Sequence, residues 1–276
     1  MQSIDAHQHF WRFNPLRDSW ITDDMGVIRR DFLPADLQPV LQQNGIDGCI
    51  AVQADQSEEQ NTFLLNLALQ NAFIKGVVGW VDLQAKNIDE RLQYYKQFSA
   101  MKGFRHVLQG ESNRALMLEP DFKRGISLLH QYGFTYDILI FPDQLKYAGK
   151  LVKQFPQQKF VLDHIAKPFI KDGKIDTWAA EIELLARYEN VYCKVSGMVT
   201  EADWHNWTPD TFTRYLDIIF NSFGMRRVMF GSDWPVCLVA ASYAQVKDIV
   251  YQYTQQFSAD DRKKIFGGNA VNFYNL

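Results

Sequence analysis

The stretch S-I-D-A-H-Q-H-F-W, residues 3–11, reads as a β-strand that ends in two histidines one residue apart. Extended backbone alternates its side chains. The spacing therefore predicts Asp5, His7 and His9 on one face, and Ile4, Ala6 and Gln8 on the other. Two imidazoles side by side at a strand end suit metal capture or the polarisation of a carbonyl.

The same form, a short apolar run closing on polar residues, recurs along the chain. After the first strand, at about residues 2–7, come "GCIAVQA" from Gly48, "GVVGWVD" from Gly76, "KGFRHV" from Lys102 and "TYDILI" from Thr135. "KFVLDHI" from Lys159, "VYCKVS" from Val191 and "RVMFGSD" from Arg227 complete a set of eight. Continuously apolar runs of this length are the signature of parallel strands buried on both faces. Between them lie helical patterns. The clearest places Phe212, Tyr215, Leu216, Ile219, Phe220 and Phe223 on one stripe, with Thr208 and Pro209 at its start and Gly224 at its stop. Another sets Phe63, Leu64, Leu67 and Ala68 on one face, and "SADD" at Ser258–Asp261 opens a last helix.

Eight strands alternating with helices, with no break in composition, predict one (β/α)8 TIM barrel over residues 1–276. An open doubly wound sheet is disfavoured because no Gly-rich phosphate loop follows any strand. A connection of about 25 residues, Phe10–Pro34, separates the first strand from its helix. Loops of that length in compact domains are usually functional, and this one is placed to cover a site.

Composition narrows the function classes. The chain has 276 residues, 47% hydrophobic, with net charge −3 and scattered basic residues, so neither a nucleic-acid stripe nor a membrane patch is present. Cys49, Cys193 and Cys237 are odd in number and far apart, which fits neither a disulfide framework nor a zinc finger. With no leader-like N-terminal segment and no long apolar run, the expectation is a cytoplasmic protein.

Barrel active sites lie at the C-terminal ends of the strands. His7 and His9, Arg105 and His106, His164, Lys194 and Ser196, and Asp233 all fall there. Alternation lets only one of Arg105 and His106 face the axis, and Arg105 is the expected one. Asp163 is expected to face away from His164 in a structural role, Lys102 to sit on the opposite rim, and His130 and His205 to be surface or packing residues. Strands one, six and eight thus bring three histidines and Asp233 to one rim, since strand eight closes beside strand one.

The segments "DAHQHFW", "KGFRHVLQ", "LDHIAKP", "KVSGMVTEADW", "FGSDWPV" and "IFGGNAVNFY" together resemble the amidohydrolase superfamily, and within it the sugar-acid lactonase branch of L-fuconolactonase- and L-rhamnonolactonase-like enzymes. The resemblance spans nearly the whole chain. It implies hydrolysis of an aldonolactone, with Asp233 activating water and His7, His9 and His164 donating to the carbonyl. Substrate contacts are expected from Arg105, Trp80, Asp82, Lys194 and Trp234. Superfamily members commonly hold one or two divalent ions with ligands from strands one, four, five, six and eight. Here strand four offers Arg105 and strand five, "TYDILIF", has no histidine, which argues against a binuclear site. The cofactor expectation is therefore none required, or one divalent ion, zinc foremost, on His7, His9, His164 and Asp233. The partner expectation is a small lactone, with no nucleic acid and no membrane, as a monomer or homodimer. The alternatives are a metal-dependent hydrolase or decarboxylase of the same superfamily acting on a small carboxylic acid, and a silent sugar-acid binding barrel.

Overall fold

A computed structural model describes residues 2–276. Its eight strands pair in parallel, in the order β1 to β8: Ile4–Gln8, Gly48–Val52, Ile74–Gly79, Met101–His106, Thr135–Ile138, Phe160–Leu162, Val191–Val195 and Val228–Phe230. Each overlaps the run expected for it, several ending a few residues earlier. The ring is drawn together where β1 meets the end of β8. The Asp233 N–H donates to the His7 carbonyl at 2.8 Å, and the His9 N–H to the Trp234 carbonyl at 2.7 Å. The result is a nearly closed (β/α)8 barrel in a single domain.

The helices between strands are α1 Pro34–Gln43, α2 Glu58–Gln70, α3 Ile88–Tyr95, α4 Pro120–Tyr132, α5 Leu145–Gln154, α6 Asp176–Ala186, α7 Pro209–Phe223 and α8 Tyr243–Tyr253. Their apolar stripes cover the outside of the sheet. All six stripe residues of α7 are buried, and Gly224 ends it at φ 65°. No helix among the described residues is long and apolar enough to cross a membrane.

Inside the barrel a separate cluster of Ile4, Ala6, Ile50, Val52, Val78, Val161 and Met229 packs against Ala270, Phe273 and Tyr274. These last three belong to the final helix, α10 (Asn269–Tyr274), which follows the short α9 (Ala259–Lys263). Lys102 and Lys159, at the starts of their strands, donate to the Asn275 and Asn272 carbonyls, so this helix plugs the rim opposite the site. Lys102 therefore lies where the sequence puts it.

One expectation about β1 fails. Asp5 pairs with Cys49 but Gln8 with Ala51, so three steps of β1 stand opposite two of β2. This bulge resets the alternation. Ile4 and Ala6 point into the barrel and so does His7, whereas Asp5 points outward to Ser232 and Tyr243.

The connection from Phe10 to Leu33 is not structureless. A bridge joins Trp11 to Phe32, the Trp11 indole N–H donates to the Arg30 carbonyl, and a short 3-10 segment spans Asp23–Ile28. Phe32 packs edge-on against Trp234, which anchors the loop to the rim beside β8.

Candidate active site

Four side chains converge on the C-terminal rim. Asp233 Oδ1 lies 3.3 Å from His9 Nε2 and 3.9 Å from Nε2 of both His7 and His164. All four residues are at most 5% exposed.

Local backbone explains how they meet. Asp233 sits three residues beyond β8 with φ 57°, and His164, Ile165, Ala166 and Lys167 all have φ between 49° and 60°. Left-handed backbone costs a non-glycine residue about 1–2 kcal/mol, so such residues persist only where their surroundings hold them, commonly at functional sites. Here Trp178 Nε1 donates to the Ile165 carbonyl at 2.7 Å, and Lys167 N to that of His164 at 2.8 Å. The Asp233 turn is held from below. The Asp5 carboxylate accepts from the Ser232 N–H and hydroxyl, the His7 N–H and the Tyr243 hydroxyl. Burial raises the Asp5 pKa to about 6 despite those bonds.

Two glycines make room. A Cβ on Gly231 would stand 2.6 Å from that of His7, and one on Gly197 2.5 Å from His164 Nδ1.

Beneath the histidines lies a fully buried charge network. Lys194 Nζ is 2.5 Å from Asp137 Oδ2, 3.0 Å from Asp163 Oδ1 and 3.1 Å from His7 Nδ1. Arg105 Nη1 is 3.2 Å from both Asp163 Oδ2 and His7 Nε2, while Nη2 donates to the Gln53 carbonyl at 2.5 Å. From the plugged end, the Tyr274 hydroxyl donates to Asp137 at 2.9 Å.

The electrostatics follow from burial and neighbours. Burial acts to raise the Asp233 pKa, but His164, His9 and Lys167 outweigh it and hold the carboxyl below its usual range. Burial likewise opposes ionisation of Asp163, and Lys194, His7 and Arg105 reverse that, leaving it well below its usual range. Burial dominates for His7 and His164, whose pKa values fall well below the ordinary imidazole value, so both are neutral at neutral pH.

The network also sets tautomers. His7 meets a cation that can only donate at each ring nitrogen, Arg105 Nη1 at 3.2 Å from Nε2 and Lys194 Nζ at 3.1 Å from Nδ1. His9 Nδ1 donates to the Val52 carbonyl at 2.8 Å, which turns Nε2 to Asp233. His164 Nδ1 meets the Ser196 hydroxyl at 2.9 Å, a group that donates or accepts, so this ring can present an Nε2–H.

Other expectations change too. Lys194 is completely buried, with its ammonium committed to Asp137 and Asp163, below the reach of a substrate. Trp234 is 3% exposed, wedged against Phe10 and Phe32. Asp82 is exposed and accepts from the Gln84 N–H two residues on. Trp80 donates to His106, which pairs with Glu111, away from the cluster. Arg105 faces inward as expected, but is 4% exposed and held from three sides. Asp163 faces inward, not outward: β6 stops at Leu162, and regular alternation ends with it. Asp137 was overlooked, its signal being one carboxylate within an apolar strand.

The donor set suits a divalent ion. One ligand atom each from His7, His164 and Asp233 lie within 4.8 Å of one another. Neutral imidazoles and an ionised carboxylate are the required forms. Two cations against Asp137, Asp163 and Asp233 leave one net negative charge.

The chain is similar to known proteins over nearly its whole length. An amidohydrolase family model matches residues 4–276. An L-fucono-1,5-lactonase of Burkholderia multivorans is 39% identical, covering 99% of this chain and 96% of its own length. An L-fucono-1,5-lactonase of Burkholderia ambifaria is 32% identical, with 99% and 95% covered. The crystal structure of a Burkholderia multivorans amidohydrolase with bound zinc, 39% identical, superposes over the full length of both chains with a TM-score of 0.97.

Proposed function

The chain belongs to the amidohydrolase family, and on that premise we propose that it hydrolyses a sugar-acid lactone, an aldono-1,5-lactone of the L-fucono type, to the aldonic acid. One observation carries the reading: an ionised carboxylate, Asp233, held on left-handed backbone within 3.9 Å of three imidazoles on the catalytic rim of a barrel. The 39% identity to an L-fucono-1,5-lactonase supports the substrate class.

Lactone opening needs a base for water, a counter-charge for the carbonyl oxygen and a proton for the departing ring oxygen. Asp233 takes the water proton and returns it to that oxygen. His164, with the Ser196 hydroxyl donating to its Nδ1, presents its Nε2–H to the oxyanion. The Arg105 guanidinium, 3.2 Å from His7 Nε2, supplies positive charge at the same place. A divalent ion on His7, His164 and Asp233 would polarise the carbonyl when bound. His9 closes the set, its ring fixed by the Val52 carbonyl so that Nε2 faces Asp233.

A neutral polyol lactone fits better than a dicarboxylate, because both cations of the cluster are committed to Asp137 and Asp163. The decarboxylase reading is weaker: β5 brings Asp137, bound by Lys194, where a histidine ligand would be needed. The Phe10–Leu33 loop serves as the cover, with the Trp11 ring 6.5 Å from that of His9.

The test is a panel of L-fucono-, L-galactono-, L-rhamnono- and D-arabinono-lactones followed with a pH indicator. Turnover above spontaneous hydrolysis is expected on the L-fucono and L-galactono 1,5-lactones. Failure on every lactone removes the reading.

A further inference from the structure

A neutral imidazole nitrogen has a single in-plane lone pair, which accepts one hydrogen bond or binds one metal ion, but not both. At His7 the nitrogen turned to Asp233 is Nε2, and Arg105 Nη1 stands 3.2 Å from it. From this we infer that Arg105 is a resident cation competing with a divalent metal for His7 Nε2, so that a side chain unable to ligate sets the metal affinity of the site.

The competition is built into the surroundings. Arg105 cannot lose its proton, and at 4% exposure its charge is not screened by water. It is not free to swing away. Nη1 also reaches Asp163 Oδ2 at 3.2 Å, and Nη2 is tied to the Gln53 carbonyl. Asp163 Oδ2 anchors the guanidinium where it stands. An incoming dication must displace Nη1 and then remain beside the charge it displaced. Lys194, the other buried cation, meets His7 at the opposite nitrogen, Nδ1.

Replacing Arg105 by glutamine frees the lone pair and deepens the negative charge of the cluster by one unit. Zinc dissociation constants of metal-stripped wild type, Arg105→Gln and Arg105→Lys, measured by competition with a chromophoric chelator, should rank in that light. Arg105→Gln should bind zinc at least tenfold more tightly than wild type. Arg105→Lys, which keeps the charge but loses the fork, should lie between them, and methylguanidinium should weaken zinc binding to Arg105→Gln alone. Equal or weaker zinc binding by Arg105→Gln overturns the inference.

A second measurement needs no variant. Nitrogen-15 NMR of the histidine rings in zinc-free wild type should show His7 protonated on Nδ1, with Nε2 accepting a hydrogen bond. A His7 protonated on Nε2 overturns the inference even if the variants do not fold. Neither readout depends on lactone turnover.

Discussion

Gly197 tests how closely the site depends on the placement of His164. The residue has φ 62°, and an added Cβ would lie 2.5 Å from His164 Nδ1, 2.8 Å from its Cγ and 3.0 Å from its Cβ. Ordinary contacts between such atoms begin near ~3.5 Å, so in Gly197→Ala the ring must retreat by about 1 Å. Left-handed alanine costs about 1 kcal/mol and overpacking about 1–3 kcal/mol more. The expected loss is about 2–4 kcal/mol in all, or roughly 4–10 °C in Tm for a domain of this size. A catalytic group misplaced by about 1 Å loses about a hundredfold in kcat/KM. Gly224→Ala is the control. Its φ is 65° and nothing lies within 4 Å of the added Cβ, so it bears the backbone cost alone, far from the site. Lactone turnover and thermal melts of both variants separate the two effects. If Gly197→Ala turns over lactone within threefold of Gly224→Ala, the claim that His164 must stand where it does is wrong.

Further outcomes follow from the buried network and its charges. Lys194→Met leaves Asp137 and Asp163 without their ammonium and should cost about 3–5 kcal/mol in chemical denaturation; a loss below ~1 kcal/mol would mean the network is not held as described. Ser196→Ala removes the partner of His164 Nδ1, and kcat/KM should fall about tenfold with little change in Tm; unchanged kcat/KM would remove Ser196 from the account. Asp163 and Asp233 have folded pKa values below the ordinary carboxyl value of 3.8, so the stability they add is present above that value and is lost as pH falls through the lower folded values. Denaturation midpoints should therefore drop below about pH 4, and kcat/KM should be level from about pH 7 to 8, above the Asp5 pKa of about 6. A limb in the neutral range would mean that an imidazole, not Asp233, sets the profile.

The barrel was legible because eight short apolar runs, each closing on polar residues, leave few other architectures. The cluster of His7, His9, His164 and Asp233 was legible for the same reason, since strand ends define the rim. What escaped depends on irregular backbone. Asp5 was put on the face of His7 because a one-residue bulge leaves no mark in composition. Asp163 was turned outward because nothing in "KFVLDHI" announces that β6 stops at Leu162 and the chain turns left-handed. Lys194 read as a substrate contact because its distance from the rim depends on Asp137, whose carboxylate looked incidental, and on Tyr274, which enters from the other end.

Asp233→Asn tests the central claim most directly, because it keeps the shape of the side chain and removes only the base. With L-fucono-1,5-lactone and spontaneous hydrolysis subtracted, the account predicts a fall in kcat of about a thousandfold or more, with Tm nearly unchanged. A variant that folds normally and keeps kcat within tenfold of wild type would contradict it.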